Sequence, residues 1–268
     1  MAATKKTIKL FVEEQEDNDV LEVCDGLNKI APKTIGKLDM VIAFDTTGSM
    51  ASYIGAVRKD VSLLIPQLFK DNEDLRLGLV AFGDYCDMID KDNFGDAYQV
   101  LMPTDNENDL VKFVLNSRDT SGGDGDEFYE LVLKKIVEET PWRPDSKRVV
   151  LLIADAEPHG LGYSYGDIVQ GNQIDWRQVA HRAAEMKIKI DTVTIGRSGW
   201  YKELSGMTNG VSVPFSTDTN TSDLIRASVW ARGSLASREK FDEMRKNISD
   251  PETMSFFAAY ECERNEED

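Results

Sequence analysis

The chain has 268 residues, 41% of them hydrophobic, and sets 48 acidic side chains against 31 basic ones for a formal net charge of −17. A field of that sign repels nucleic acid and anionic membrane surfaces, which excludes both as direct partners and leaves metal cations and basic protein surfaces. The apolar share suffices for one large α/β domain, and no run of about 18 apolar residues suggests a membrane span.

Residues 1–36 read as an N-terminal extension. It holds one candidate strand, Thr7–Val12, then an acidic stretch and a short helical pattern, and it lacks the apolar core and small-residue cleavage site of a secretory signal. Cys24, Cys86 and Cys262 are odd in number, far apart and in no Cys-x-x-Cys pairing. That pattern is neither a disulfide framework nor a zinc site, and it points to a reducing, cytoplasmic compartment.

The first continuous apolar run, Met40–Phe44, has the composition of a strand covered on both faces. Ser52–Phe69 follows with Ile54, Val57, Val61, Leu64, Ile65 and Leu68 at helical spacing, and Pro66 is expected to kink or shorten that helix. Leu77–Phe82 is a second buried strand. The charged stretch behind it, with Asp84, Asp87 and Asp90–Asp92, reads as a solvated loop on the strand-end side. Glu127–Glu139 places Phe128, Leu131, Val132 and Ile136 on one helical face, and Val149–Ala154 is a third strand. Asp175–Lys187, acidic at its start and basic at its end, suits a helix macrodipole, and the β-branched run Ile190–Ile195 gives a fourth strand. Residues 222–262 read as two helices split near Asp250-Pro251, and Glu261 to Asp268 as a disordered charged tail.

This alternation predicts an α/β, doubly wound and mostly parallel central sheet with helices on both faces. Ligands of such sheets bind outside the carboxyl ends of the strands, and Asp45 and Asp155 both sit at such ends.

Three segments converge on that edge. The first is Asp45-Thr46-Thr47-Gly48-Ser49-Met50, in which Asp45, Thr47 and Ser49 follow an Asp-x-Thr-x-Ser spacing. Short oxygen side chains clustered where a strand runs out are what a hard divalent cation needs, and neutral hydroxyls leave the ion enough positive charge to accept an anionic ligand. Alone, the same residues are also common helix caps. The second segment is the acidic glycine loop Ser121-Gly122-Gly123-Asp124-Gly125-Asp126-Glu127. The third is Ile153-Ala154-Asp155-Ala156-Glu157-Pro158-His159-Gly160.

Asp-Thr-Thr-Gly-Ser-Met, Gly-Gly-Asp and Ala-Asp-Ala-x-x-His-Gly together resemble the metal-ion-dependent adhesion site of von Willebrand factor A domains. They are most similar to the A domains found beside alpha-kinases, over roughly residues 38–230. The resemblance implies a Rossmann-like A domain over residues 37–232 and a C-terminal helical extension with a charged tail over 233–268. It also implies Mg²⁺, with Mn²⁺ or Ca²⁺ as substitutes. Thr47 and Ser49 would bind the ion directly, Asp45 directly or through water, and Asp155 usually through water. At the second loop many relatives offer a threonine, whereas this chain offers Asp124 and Glu127, as in relatives with Gly-Gly-Asp-x-Pro-Glu, and has Asp126 in place of the proline. The metal ligands implied are therefore Asp45, Thr47, Ser49, Asp124, Glu127 and Asp155. Extra carboxylates neutralise the ion, lower its affinity for a partner's carboxylate and make calcium easier to hold.

The function implied is a non-enzymatic, metal-dependent protein-binding module whose partner contributes an acidic side chain. The enzyme alternative is a haloacid-dehalogenase-like phosphotransferase with Asp45 as nucleophile and Asp155 as a later metal carboxylate. Two features oppose it: Ser49-Met50 runs straight into a long helix, and Lys147, the nearest candidate lysine, precedes its strand. No nucleotide-binding glycine loop supports a kinase. His159 reads as a residue that orients its loop or a pH-sensitive ligand, and His181 as a structural or solvated one. Tyr163, Tyr165 and Trp176 read as packing or as the lining of a partner site. Cys86 has no basic neighbour to activate its thiol.

Overall fold

The computed structural model describes residues 37–196, 199–215, 221–233, 235–248, 254 and 257–261. The expected Thr7–Val12 strand, the Asp250-Pro251 break and the tail beyond residue 261 lie outside them. The strands are β1 (Leu38–Asp45), β2 (Leu75–Phe82), β3 (Tyr98–Thr104), β4 (Asp126–Glu127), β5 (Lys147–Ala154), β6 (Glu157–Pro158), β7 (Ile188–Ile195) and β8 (Ser212–Phe215). The helices are α1 (Ala51–Asp71), α2 (Glu107–Asn116), α3 (Tyr129–Glu139), α4 (Trp176–Glu185), α5 (Gly199–Met207), α6 (Thr221–Arg232) and α7 (Leu235–Asn247).

Six strands form one sheet in the order β3-β2-β1-β5-β7-β8, parallel throughout except for the antiparallel edge strand β3. Residues of β1 alternate between two cores. Met40, Ile42 and Phe44 face the layer of α1, α2, α6 and α7, whereas Val41 and Ala43 face that of α3, α4 and α5. Burial on both faces explains the unbroken apolar runs. Among the described residues no helix is long and apolar enough to cross a membrane.

The chain leaves β1 for β2 on one side and later enters β5 on the other, so β1 and β5 flank the point where strand order reverses. Crevices form outside the carboxyl ends of strands at such a point. In the β1–β5 register Phe44 lies opposite Ile153, which brings Asp45 and Asp155 to one edge.

All four expected strands are present, each beginning two residues earlier than its apolar run. The polar residues that open β1 and β2, Asp39 and Arg76, belong to a buried ion-pair hub at the base of the sheet. Asp39 accepts from Arg76 Nη2 (2.7 Å), Arg143 Nε (2.8 Å), the Arg143 amide (2.7 Å) and Ser146 Oγ (2.9 Å). Burial pushes its carboxyl up, but these donors and the arginine charges outweigh burial and hold it below the usual value. Edge strand β3 escapes sequence reading because only half of it is covered, with Val100 and Met102 exposed. Helix α2 buries just Leu110 and Val114 and owes its start to Asn106, whose side chain accepts from the amides of Asn108 and Asp109.

One expectation is corrected. Pro66 does not shorten α1, which runs on to Asp71, because Leu64, Ile65 and Leu68 remain buried and packing offsets the lost hydrogen bond. Between α6 and α7 the chain turns at Gly233. A β-carbon there would collide with Asn72 Oδ1, and Ser237 Oγ lies 2.7 Å from the Asp71 carbonyl and 2.6 Å from Asn72 Oδ1. The turn thus docks α7 on the end of α1. Farther along, the Tyr260 hydroxyl reaches Asp191 Oδ2 of β7 at 2.8 Å. Asp191 also accepts from Ser228 Oγ, both terminal nitrogens of Arg232 and the Val211 amide.

Candidate metal centre

Asp45 ends β1 fully buried. Its Oδ1 accepts from the Thr47 amide and the Thr47 hydroxyl, each at 2.7 Å, and its Oδ2 from the Tyr129 hydroxyl at 2.5 Å. Thr47 Oγ1 lies 3.1 Å from Ser49 Oγ, which donates to Asp155 Oδ1 at 3.0 Å. A continuous line of oxygens therefore runs from the buried Asp45 to the exposed Ser49 and half-buried Asp155. The loops are pinned from behind. The Gly48 amide donates to the Ser121 carbonyl at 3.1 Å, and the Tyr129 hydroxyl accepts the Ala156 amide at 3.1 Å, joining the first loop to the third.

Glu127 is the second-loop residue that joins this group. Strand β4 pairs with β6 in parallel, and the period of two turns Glu127 inward and leaves Asp126 exposed. The Glu127 carboxyl lies beside Thr47. A β-carbon on Gly122, at φ +68°, would sit 2.7 Å from Glu127 Oε1 and 3.2 Å from Thr47 Cβ, so this left-handed turn has room only for glycine.

Three features fit a divalent cation. Glu127 Oε2 is buried with no hydrogen-bond partner among the described residues. Each hydroxyl carries one proton. With those of Thr47 and Ser49 given to Asp45 and Asp155, the 3.1 Å contact between the two hydroxyl oxygens has none left, and lone pairs converge. Finally, burial pushes Asp45 up to about 6 against its hydrogen bonds, with the Asp155 charge adding to the rise. Burial, with Asp45 and Asp84 beside it, pushes Glu127 up to about 9. A bound cation relieves all three.

Asp124 has partners of its own. Its Oδ1 accepts the Asp126 amide at 3.3 Å and its Oδ2 the Tyr163 hydroxyl at 3.1 Å, which holds it near Asp84 and His159. The expected solvated loop after β2 is corrected as well. Asp84 is fully buried and bound to His159 Nε2 at 2.7 Å, and Asp87 accepts the amides of Ser121 (2.8 Å) and Gly122 (3.1 Å). These carboxylates shape the second loop, while Asp90 and Asp92 are exposed. Sequence reading also missed Tyr129. The available signal was its place two residues after Glu127 at the start of a helix on the same edge. His159 orients its loop, Tyr163 stacks on it, Trp176 is core and Tyr165 is exposed. Burial, then Asp87, Asp84 and Glu127, pushes the Cys86 thiol up to about 12, leaving it unreactive.

A family model of the von Willebrand factor type A domain matches residues 39–227. The chain belongs to that family. VWA domains are generally protein-interaction modules. Alpha-protein kinase vwkA of Dictyostelium discoideum is 33% identical over 130 residues, which are 47% of this chain and 19% of that protein. The putative ariadne-like RING finger protein R811 of Acanthamoeba polyphaga mimivirus is 20% identical over 185 residues, 65% of this chain and 18% of its own length. The chain thus spans less than a fifth of either relative. The crystal structure of the SpRpn10 VWA domain has a TM-score of 0.45 at 18% identity, covering 71% of this chain and 94% of that one.

The raised carboxyls of this VWA domain give a pH dependence of definite sign. Asp45 and Glu127 stabilise the metal-free fold fully only below their unfolded values near 4, and that contribution is lost as pH rises through about 6 and about 9. A cation held here would bind the ionised forms and restore what was lost. The rise in melting temperature caused by millimolar Mg²⁺ is therefore expected to be small at pH 5 and several-fold larger at pH 8.5, as scanning calorimetry would record.

Proposed function

We propose that this VWA domain is a Mg²⁺-dependent protein-binding module, with the ion held by Asp45, Thr47, Ser49, Glu127 and Asp155. The observation that carries the reading is the line of oxygens from Asp45 to Asp155, closed by the unpartnered Glu127 Oε2. Ser49 is its exposed end, where a partner's carboxylate would reach the ion. Mn²⁺ would substitute readily, and the number of carboxylates also suits Ca²⁺. Within this reading residues 37–232 are the binding module and the helical segments after 233 brace it.

The phosphotransfer alternative finds no support in this geometry. A nucleophilic Asp45 would have to be reached by phosphorus, yet it is fully buried with both oxygens engaged. Lys147 opens β5 opposite Leu38, at the other end of β1 from Asp45. Hydrolysis of a chromogenic phosphate monoester is expected to be no faster with the wild type than with Asp45→Asn.

The binding role is tested by immobilising the full chain and recovering partners from extract in Mg²⁺ or in EDTA. A specific partner should be retained in Mg²⁺, released by EDTA and missing from Asp45→Asn. Equal retention in all three conditions would refute metal dependence.

A further inference from the structure

The Gly122-Gly123 turn has a second face. A β-carbon on Gly122 would meet Thr47 and Glu127, whereas one on Gly123 would meet Cys86 and lie 3.9 Å from Asp84 Oδ2. On that second face Asp84, Asp124 and His159 each offer a ligand atom within 4.8 Å of the others. We propose that these three residues form a second cation site, distinct from the Asp45 site and suited to a borderline ion such as Zn²⁺ rather than Mg²⁺.

Two independent observations support it. Asp84 is fully buried, and its Oδ2 has no hydrogen-bond partner among the described residues. A buried oxygen left without a partner is costly, and a cation would satisfy it. The surroundings also hold all three ligands in place. The His159 ring is stacked on Tyr163 at 3.6 Å, and Tyr85 lies against both rings, at 5.5 Å from His159 and 5.9 Å from Tyr163. The His159 amide donates to Glu130 Oε2 at 3.1 Å, and Glu130 Oε1 takes the Tyr85 hydroxyl at 2.8 Å and Asn172 Nδ2 at 3.1 Å. Tyr163 in turn donates to Asp124. Outer partners that orient ligands in this manner are characteristic of built metal sites.

The ligand set decides the ion. Imidazole nitrogen suits Zn²⁺, Co²⁺ and Ni²⁺, whereas Mg²⁺ and Ca²⁺ take oxygen. One nitrogen and two carboxylates leave a fourth tetrahedral position open for water or a partner group. The bond from His159 Nε2 to Asp84 Oδ1 gives way as the ion replaces the proton between them.

The full chain, stripped of metal and kept in excess Mg²⁺ to fill the first site, is titrated with Zn²⁺ by calorimetry. Histidine ¹⁵N spectra are read in parallel, since the chain has only two histidines. One equivalent of Zn²⁺ should bind and shift the His159 ring nitrogen but not that of His181. His159→Gln should weaken binding about a hundredfold, and Asp124→Asn about tenfold, consistent with the usual cost of losing a ligand or its support. Asp124 is exposed, so its variant remains informative even if His159→Gln folds poorly. Asp45→Asn should leave Zn²⁺ binding unchanged. The proposal is overturned if no Zn²⁺ binds in Mg²⁺, if the His159 nitrogen does not move, if Asp124→Asn binds like the wild type, or if Asp45→Asn removes the binding.

Discussion

Asp45→Asn is expected to abolish the Mg²⁺-dependent rise in melting temperature and to leave the fold intact. Asparagine keeps the oxygen that accepts the Thr47 amide and hydroxyl, and its amide can donate to the Tyr129 oxygen. What it removes is the buried negative charge. A ligand in about hundredfold excess over its Kd stabilises a protein by about 2.7 kcal/mol, several degrees for a chain of this size. All of that should vanish. In metal-free buffer at pH 8 the variant should melt no lower than the wild type, because it lacks a carboxylate that burial has pushed up to about 6. Asp45→Ala is the harsher change. It strands the Tyr129 hydroxyl and the Thr47 amide at about 1–3 kcal/mol for each unsatisfied group, so its metal-free melting temperature should fall. Differential scanning fluorimetry of the three proteins with and without Mg²⁺ separates these effects. A wild-type shift that persists in Asp45→Asn would remove Asp45 from the site.

The second large effect lies away from the metal loops. Asp191→Ala should lower stability by about 3–5 kcal/mol, a fall in melting temperature on the order of 10 °C. Asp191 is almost completely buried in β7 and accepts from Arg232, Ser228, Tyr260 and the Val211 amide. Its loss leaves the Arg232 guanidinium, itself buried, without that carboxylate. The cost reflects the loss of a carboxylate on which a buried guanidinium, two hydroxyls and a backbone amide converge. The Mg²⁺-dependent shift should survive, since Asp191 touches none of the three metal loops. A change below about 1 kcal/mol in denaturant melts would show that the C-terminal segments are not braced through this residue.

The parts of the fold that could be read from the sequence are those in which burial is continuous. Strands β1, β2, β5 and β7 are covered on both faces, and α1 keeps a long apolar stripe, so periodicity alone locates them. Strand β3 and helix α2 bury one narrow face each and leave little pattern. The break at Gly233 depends on Asn72, far away in sequence, and no local signal reports such a contact. The site divides in the same way. That Asp45, Thr47, Ser49 and Asp155 meet was legible because two strand ends come together at the reversal of the sheet. The choice between Asp124 and Glu127 was not, because it depends on the short β4–β6 pairing that turns one side chain inward. Asp84 and Asp87 looked like a solvated acidic loop. Only the fold shows that they face inward, one to His159 and the other to the amides of the glycine turn.

The central claim is that one cation is held where β1 and β5 end. Direct titration of the metal-stripped full chain with Mg²⁺ at pH 7.5, in two buffers of different ionisation enthalpy, tests it most simply. The account predicts one bound ion, release of close to one proton as Glu127 gives up the hydrogen it holds below about pH 9, and no binding heat with Asp45→Asn. Absence of Mg²⁺ binding by the wild type, or an identical isotherm from Asp45→Asn, would contradict it.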